Sequence, residues 1–107
     1  MPFIKFVQPS GSSEVVQVHE GESAMEAATQ NAIPGILAEC GGNAMCATCH
    51  VYVDDEWLDR LPSILEQEEA LLTEVVAERR QTSRLSCQIE ITSDLDGLLL
   101  HIPNKQI

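Results

Sequence analysis

Three cysteines fall inside the run Cys40-Gly41-Gly42-Asn43-Ala44-Met45-Cys46-Ala47-Thr48-Cys49, and the fourth, Cys87, stands far downstream. If the four act together, a C-x5-C-x2-C loop and a second segment must meet at one point, which constrains the fold more than any other feature. Four thiolates are the ligand set of a 2Fe–2S cluster, two per iron.

The loop has the composition that such a cluster needs. Gly41 and Gly42 permit tight turns and positive φ values that other residues resist, so backbone N–H groups can point at sulfur. Ala44, Ala47 and Thr48 are small enough for the chain to pass close to an inorganic core. Contacts of the N–H···S kind, with solvent exposure and net charge, set the reduction potential. Other readings of the same cysteines stand beside this one. A zinc site formed by all four cysteines, or with His50 in place of one, would make the chain a zinc-stabilised binding module, although structural zinc more often pairs two C-x2-C knuckles. A Cys46-Ala47-Thr48-Cys49 dithiol would leave Cys40 and Cys87 without a role, and structural disulfides are a further alternative. His50 directly follows Cys49 and reads as a buried histidine satisfied by a backbone carbonyl; the competing reading is an orienting or proton-linked hydrogen bond beside the cluster.

A chain of 107 residues, 44% of them hydrophobic, suffices for one packed domain, 1–107. Only Phe3, Phe6, Tyr52 and Trp57 are aromatic, so the core must come from Leu, Ile, Val and Ala. Acidic side chains outnumber basic ones 17 to 6, a formal net charge of −11. That field repels nucleic-acid phosphates and anionic lipid and steers the protein toward a basic patch on another protein, unless it serves solubility alone. The sequence from Met1 lacks the basic region and apolar run of a signal peptide, and no apolar stretch approaches the roughly 20 residues that span a membrane. A cytoplasmic monomer is expected, in a reducing compartment where four cysteines suit metal better than disulfides.

Phe3–Gln8 and Glu14–His19 read as two strands around the turn-forming Pro9-Ser10-Gly11-Ser12-Ser13. Ser23-Ala24-Met25-Glu26 has the form of a capping box, so a short helix should run to about Asn31 and stop before Pro34-Gly35. Val51-Tyr52-Val53 forms a brief strand after the cysteine loop. Leu65 to Glu78 reads as the main helix, with Leu71, Leu72, Val75 and Val76 on one stripe. Gln88–Thr92 and Leu98–Ile102 complete the strands. The pattern is an α+β roll of the β-grasp (ferredoxin-type) kind: a mixed sheet of four to five strands, one principal helix and a cluster-binding loop.

The motif Cys-Gly-Gly-x-x-x-Cys-Ala-Thr-Cys-His-Val-Tyr-Val at 40–53, with Ser83-Arg84-Leu85-Ser86-Cys87-Gln88-Ile89, resembles the 2Fe–2S ferredoxins of the adrenodoxin and putidaredoxin group. The likeness continues through Asp96-Gly97 and Ile102-Pro103, and is greatest to bacterial redoxins that serve cytochrome P-450 monooxygenases. It implies a β-grasp fold, no catalysis of its own, and electrons supplied singly by a flavin-dependent ferredoxin reductase. It also implies that Cys40 and Cys46 hold one iron and Cys49 and Cys87 the other. Ferredoxins of iron–sulfur cluster assembly share the five-residue gap and are the alternative. Two departures bear on the oxidase partner. Pro34 stands where a relative has an aromatic residue, and the chain ends in Ile107 where that relative ends in tryptophan.

Three expectations concern other residues. Nine of the 17 acids lie between 54 and 78, opposed within that stretch only by Arg60, and Glu66, Glu69 and Glu74 are expected to dock a partner. Glu39 and Ile107 are expected near the oxidase contact. Glu68 falls in the middle of the apolar stripe of the main helix, where a carboxylate needs a cation, and Arg84 is the candidate. The group has a similar pair at the matching positions.

Overall fold

The computed structural model describes residues 2–31, 33, 50–61, 64–73, 75 and 77–103. Strand β1, Phe3–Val7, alternates exposed Phe3 and Lys5 with fully buried Ile4 and Phe6. It pairs antiparallel with β2, Ser13–Gln17, with Phe3 opposite Gln17. The intervening turn closes at Gly11, whose φ of 97° suits a residue without Cβ.

Helix α1, Ala24–Gln30, begins with the expected capping box. Ser23 Oγ accepts from Glu26 N at 3.0 Å, and Glu26 Oε1 accepts from Ser23 N at 3.2 Å. Each bond satisfies an amide that the first turn leaves free, an arrangement worth about 1 kcal/mol. Ala24, Ala27 and Ala28 are buried and small, so the helix backbone can lie close to its neighbours.

The remaining elements are β3 (His50–Val53), α2 (Asp55–Leu58), α3 (Glu66–Leu72), β4 (Ser83–Leu85), 3-10 turns at Ser86–Gln88 and Ser93–Leu95, and β5 (Leu98–His101). The five strands lie in the order β2-β1-β5-β3-β4, and β1 with β5 is the parallel pair. Every residue of β3 is buried, as a strand must be when both faces of a sheet are covered. This is the mixed α+β roll that the pattern implied. One apolar core joins Ile4 and Phe6 of β1, Val51 and Val53 of β3, Leu98 and Leu100 of β5, the alanines of α1, and Leu72 of α3. Among the described residues no helix is long and apolar enough to cross a membrane.

Two expectations need correction. The main helix is shorter than Leu65–Glu78: α3 covers seven residues, Glu66–Leu72, the same length as α1. It stops at Thr73, whose hydroxyl donates to Ala70 O at 2.6 Å, where β-branched Thr73, Val75 and Val76 weaken helix propensity. Gln88–Thr92 is not a ladder strand. Its alternation is real, with Ile89 and Ile91 buried, but Ala24 N donates to Ile89 O and Ile91 N to Glu22 O, so its partner is the chain leading into α1. The strand in that part of the sequence is Ser83–Leu85.

Candidate metal centre

In the β3–β4 ladder His50 lies opposite Leu85. The chain enters β3 at His50, the residue after Cys49, and leaves β4 at Leu85, two residues before Cys87. The peptide bond from Cys49 therefore joins the ladder at the end from which the Cys87 segment departs. Cys87 occupies the 3-10 turn Ser86–Gln88, half-buried against the core, between fully buried Ser86 and Ile89. Its Sγ accepts from Gln88 Nε2 at 3.5 Å. A thiol fixed at a ladder end, open on one side and offered an amide donor, fits what a thiolate ligand of an iron–sulfur cluster requires. Cys40, Cys46 and Cys49, with Glu39, Gly41, Gly42, Ala47, Thr48, Glu74 and Ile107, lie outside the described residues. Among the described residues no group of three or more His, Cys, Asp or Glu side chains could hold a metal ion.

His50 is 1% exposed. Its Nε2 lies 2.9 Å from Ser83 Oγ, and Arg80 N donates to the same hydroxyl oxygen at 2.8 Å. A side-chain hydroxyl thus meets Nε2, where a backbone carbonyl was the expected partner. Burial, and then the nearby Arg80 and Arg79 charges, lower the His50 pKa to about 4, so its imidazole is neutral near pH 7. Tyr52 packs edge-on against it, with ring centroids 4.8 Å apart, and donates its hydroxyl to Glu78 O at 2.5 Å.

Glu68 and Arg84 are each 3% exposed. Arg84 Nε donates to Glu68 Oε2 at 2.7 Å, Arg84 Nη2 to Oε1 at 3.1 Å, and Leu85 N to Oε2 at 2.9 Å. The carboxylate of α3 thereby receives a two-pronged guanidinium and a backbone amide of β4, two residues before Cys87. The other helix acids behave differently. Glu66 is exposed and, among the described residues, has no ion-pair partner. Glu69 is 2.7 Å from Arg79 Nη2, and this hydrogen bond holds its carboxyl below the usual range.

Arg60 lies over the Trp57 ring at 4.7 Å and Arg80 over Tyr52 at 4.3 Å. The base that opposes an exposed acid of α3 is thus Arg79, as Arg84 opposes the buried Glu68, and both come from beyond the stretch that contains Arg60. Sequence reasoning missed Ser83, Arg79 and Gln88. The first two are brought to their partners by tertiary folding, at no periodic spacing. Gln88 was signalled only by its adjacency to Cys87.

An α+β roll whose ladder end carries a half-buried cysteine, in a sequence that also holds a C-x5-C-x2-C run, defines a class of small iron–sulfur proteins. The 2Fe–2S iron–sulfur cluster binding domain pattern matches residues 7–92. Rhodocoxin from Rhodococcus erythropolis is 48% identical over 107 residues, covering 100% of both chains. A ferredoxin crystal structure from Rhodopseudomonas palustris HaA2 is 54% identical, covers 99% of this chain and 100% of that one, and superposes with a TM-score of 0.97. The putidaredoxin in a covalent putidaredoxin reductase–putidaredoxin complex is 42% identical over 96% of this chain and 99% of its own, with a TM-score of 0.94. The chain belongs to the 2Fe–2S ferredoxins, in the group that includes rhodocoxin and putidaredoxin.

Proposed function

We propose that this protein is a one-electron carrier that takes electrons from a flavin-dependent ferredoxin reductase and delivers them to a cytochrome P-450 monooxygenase. The observation that carries this reading is the end-to-end similarity to rhodocoxin and putidaredoxin on a matching fold. The structure of putidaredoxin joined to putidaredoxin reductase supports the donor half, and the Cys-Gly-Gly and Val-Tyr-Val signature of the monooxygenase redoxins supports the acceptor half. The protein works as a cytoplasmic carrier and catalyses no reaction of its own.

Cys40, Cys46, Cys49 and Cys87 would hold the cluster, which supplies a one-electron couple shared between iron and sulfur. The chain's own residues do the rest. Gln88 places an amide donor on the Cys87 sulfur, which favours added negative charge there. The Glu68–Arg84 pair and the Leu85 amide tie α3 to the segment bearing Cys87. Purified protein should contain about two irons and two acid-labile sulfides per chain. Its reddish-brown colour should bleach with dithionite. One zinc and no sulfide would overturn the reading.

The exposed acids of α3 form the reductase-docking face. Glu66 faces solvent, and three acids stand in the first turn of α3, where the helix dipole favours them. Neutralising Glu66, Glu69 and Glu74 together should slow reductase association about tenfold at low ionic strength and flatten its salt dependence. Stopped-flow reduction read against ionic strength makes the measurement. An unchanged rate and salt slope would show that these acids serve solubility alone.

A further inference from the structure

We propose that Arg79 is a built-in competitor for Glu69, which a partner's cation must displace in order to dock. This rests on the docking reading of α3. It adds a residue of opposite sign that limits affinity and keeps the encounter short.

The geometry supports displacement. Arg79 reaches Glu69 through Nη2 at 2.7 Å, and the two side chains are 34% and 53% exposed. An exposed pair of this kind shifts an equilibrium by up to about fivefold, so an incoming ammonium or guanidinium can replace it. The Glu68–Arg84 pair, one position away on the helix, has side chains only 3% and 4% exposed and a two-pronged contact. Neighbouring acids thus have distinct tasks: Glu68 is locked inside, Glu66 is open to a partner, and Glu69 is guarded. Arg80 and Arg60 are stacked on aromatic rings, and Arg84 is internal. Among the described residues Arg79 is therefore the base placed to compete on this face.

The test is a double-mutant cycle on cluster-loaded protein, with cytochrome c, whose haem edge is ringed by lysines, as the basic acceptor. The second-order rate of its reduction is measured at several ionic strengths. Arg79→Gln should raise that rate at low salt about threefold. Lys5→Gln makes the same one-unit change to the net charge of −11 from exposed β1, and should raise it less than about 1.5-fold. In a Glu69→Gln background, Arg79→Gln should fall back to the Lys5→Gln effect, because the guarded carboxylate is gone. Glu66→Gln, run alongside, should slow the reaction. A gain from Arg79→Gln no larger than that from Lys5→Gln, or one undiminished without Glu69, overturns the competitor role while leaving the docking face intact. An unaltered rate for Glu66→Gln shows that this face takes no part in meeting a basic partner and overturns the competitor role, while the reductase measurement decides the docking face itself.

Discussion

Cys87→Ala is expected to leave the protein folded but unable to keep a 2Fe–2S cluster, with iron and sulfide falling below about one tenth of wild type after gel filtration. The local structure explains why the two effects separate. Leu85, Ser86, Ile89 and Ile91 are fully buried around the residue, so the turn that carries it is held by neighbours that the substitution does not touch. Alanine is smaller than cysteine and fits the half-open site. What would be lost is one of the four proposed thiolates, and Cys40, Cys46 and Cys49, within ten residues of one another in the sequence, would have nothing to close the set from the second segment. Far-ultraviolet circular dichroism should resemble that of metal-free wild type, while the visible absorbance disappears. Full retention of two irons and two sulfides by Cys87→Ala would remove Cys87 from the ligand set and reopen the reading in which the cysteines have separate roles.

What the sequence made legible follows from how local each signal is. The capping box at Ser23 and Glu26 and the β1–β2 hairpin are settled by residues within a few positions of one another, and both are present. The helix ran long on paper because Leu71, Leu72, Val75 and Val76 continue its apolar stripe, whereas periodicity does not register the stop at Thr73. Ile89 and Ile91 alternate with exposed Glu90. Alternation reports which side is buried and says nothing of the partner, which is the lead into α1. Strand β4 was hidden for the opposite reason. Ser-Arg-Leu looks like surface, yet all three residues are buried because Ser83 meets His50 and Arg84 meets Glu68. The cysteine spacing is of another kind, since ligand chemistry rather than packing would fix it, and Cys40, Cys46 and Cys49 lie outside the described residues.

Glu68→Ala should lower the melting temperature by about 10 °C or more, while Glu66→Ala on the same helix should shift it by less than about 2 °C. The contrast is what separates a structural acid from a docking one. Glu68 accepts three hydrogen bonds, two from Arg84 and one from Leu85 N, at a position 3% exposed. Removing it leaves the guanidinium buried without its counter-charge, and breaking one partner of such a pair typically costs about 3–5 kcal/mol. It also takes an acceptor from a buried backbone amide, a further loss of about 1–3 kcal/mol where water cannot enter. Among the described residues Glu66 makes no such contact, and it faces solvent. Because Leu85 N lies two residues before Cys87, the loss should reach the cluster-bearing turn, and bleaching of the cluster in air should be several times faster in Glu68→Ala than in wild type. Glu68→Gln can still accept from Leu85 N or Arg84 through its amide oxygen, so it should fall between the two. Thermal melts followed by circular dichroism, with the visible band recorded in parallel, compare all three variants. Equal behaviour of Glu68→Ala and Glu66→Ala would mean that the tie between α3 and β4 contributes nothing to holding the fold, and that the buried pair is incidental.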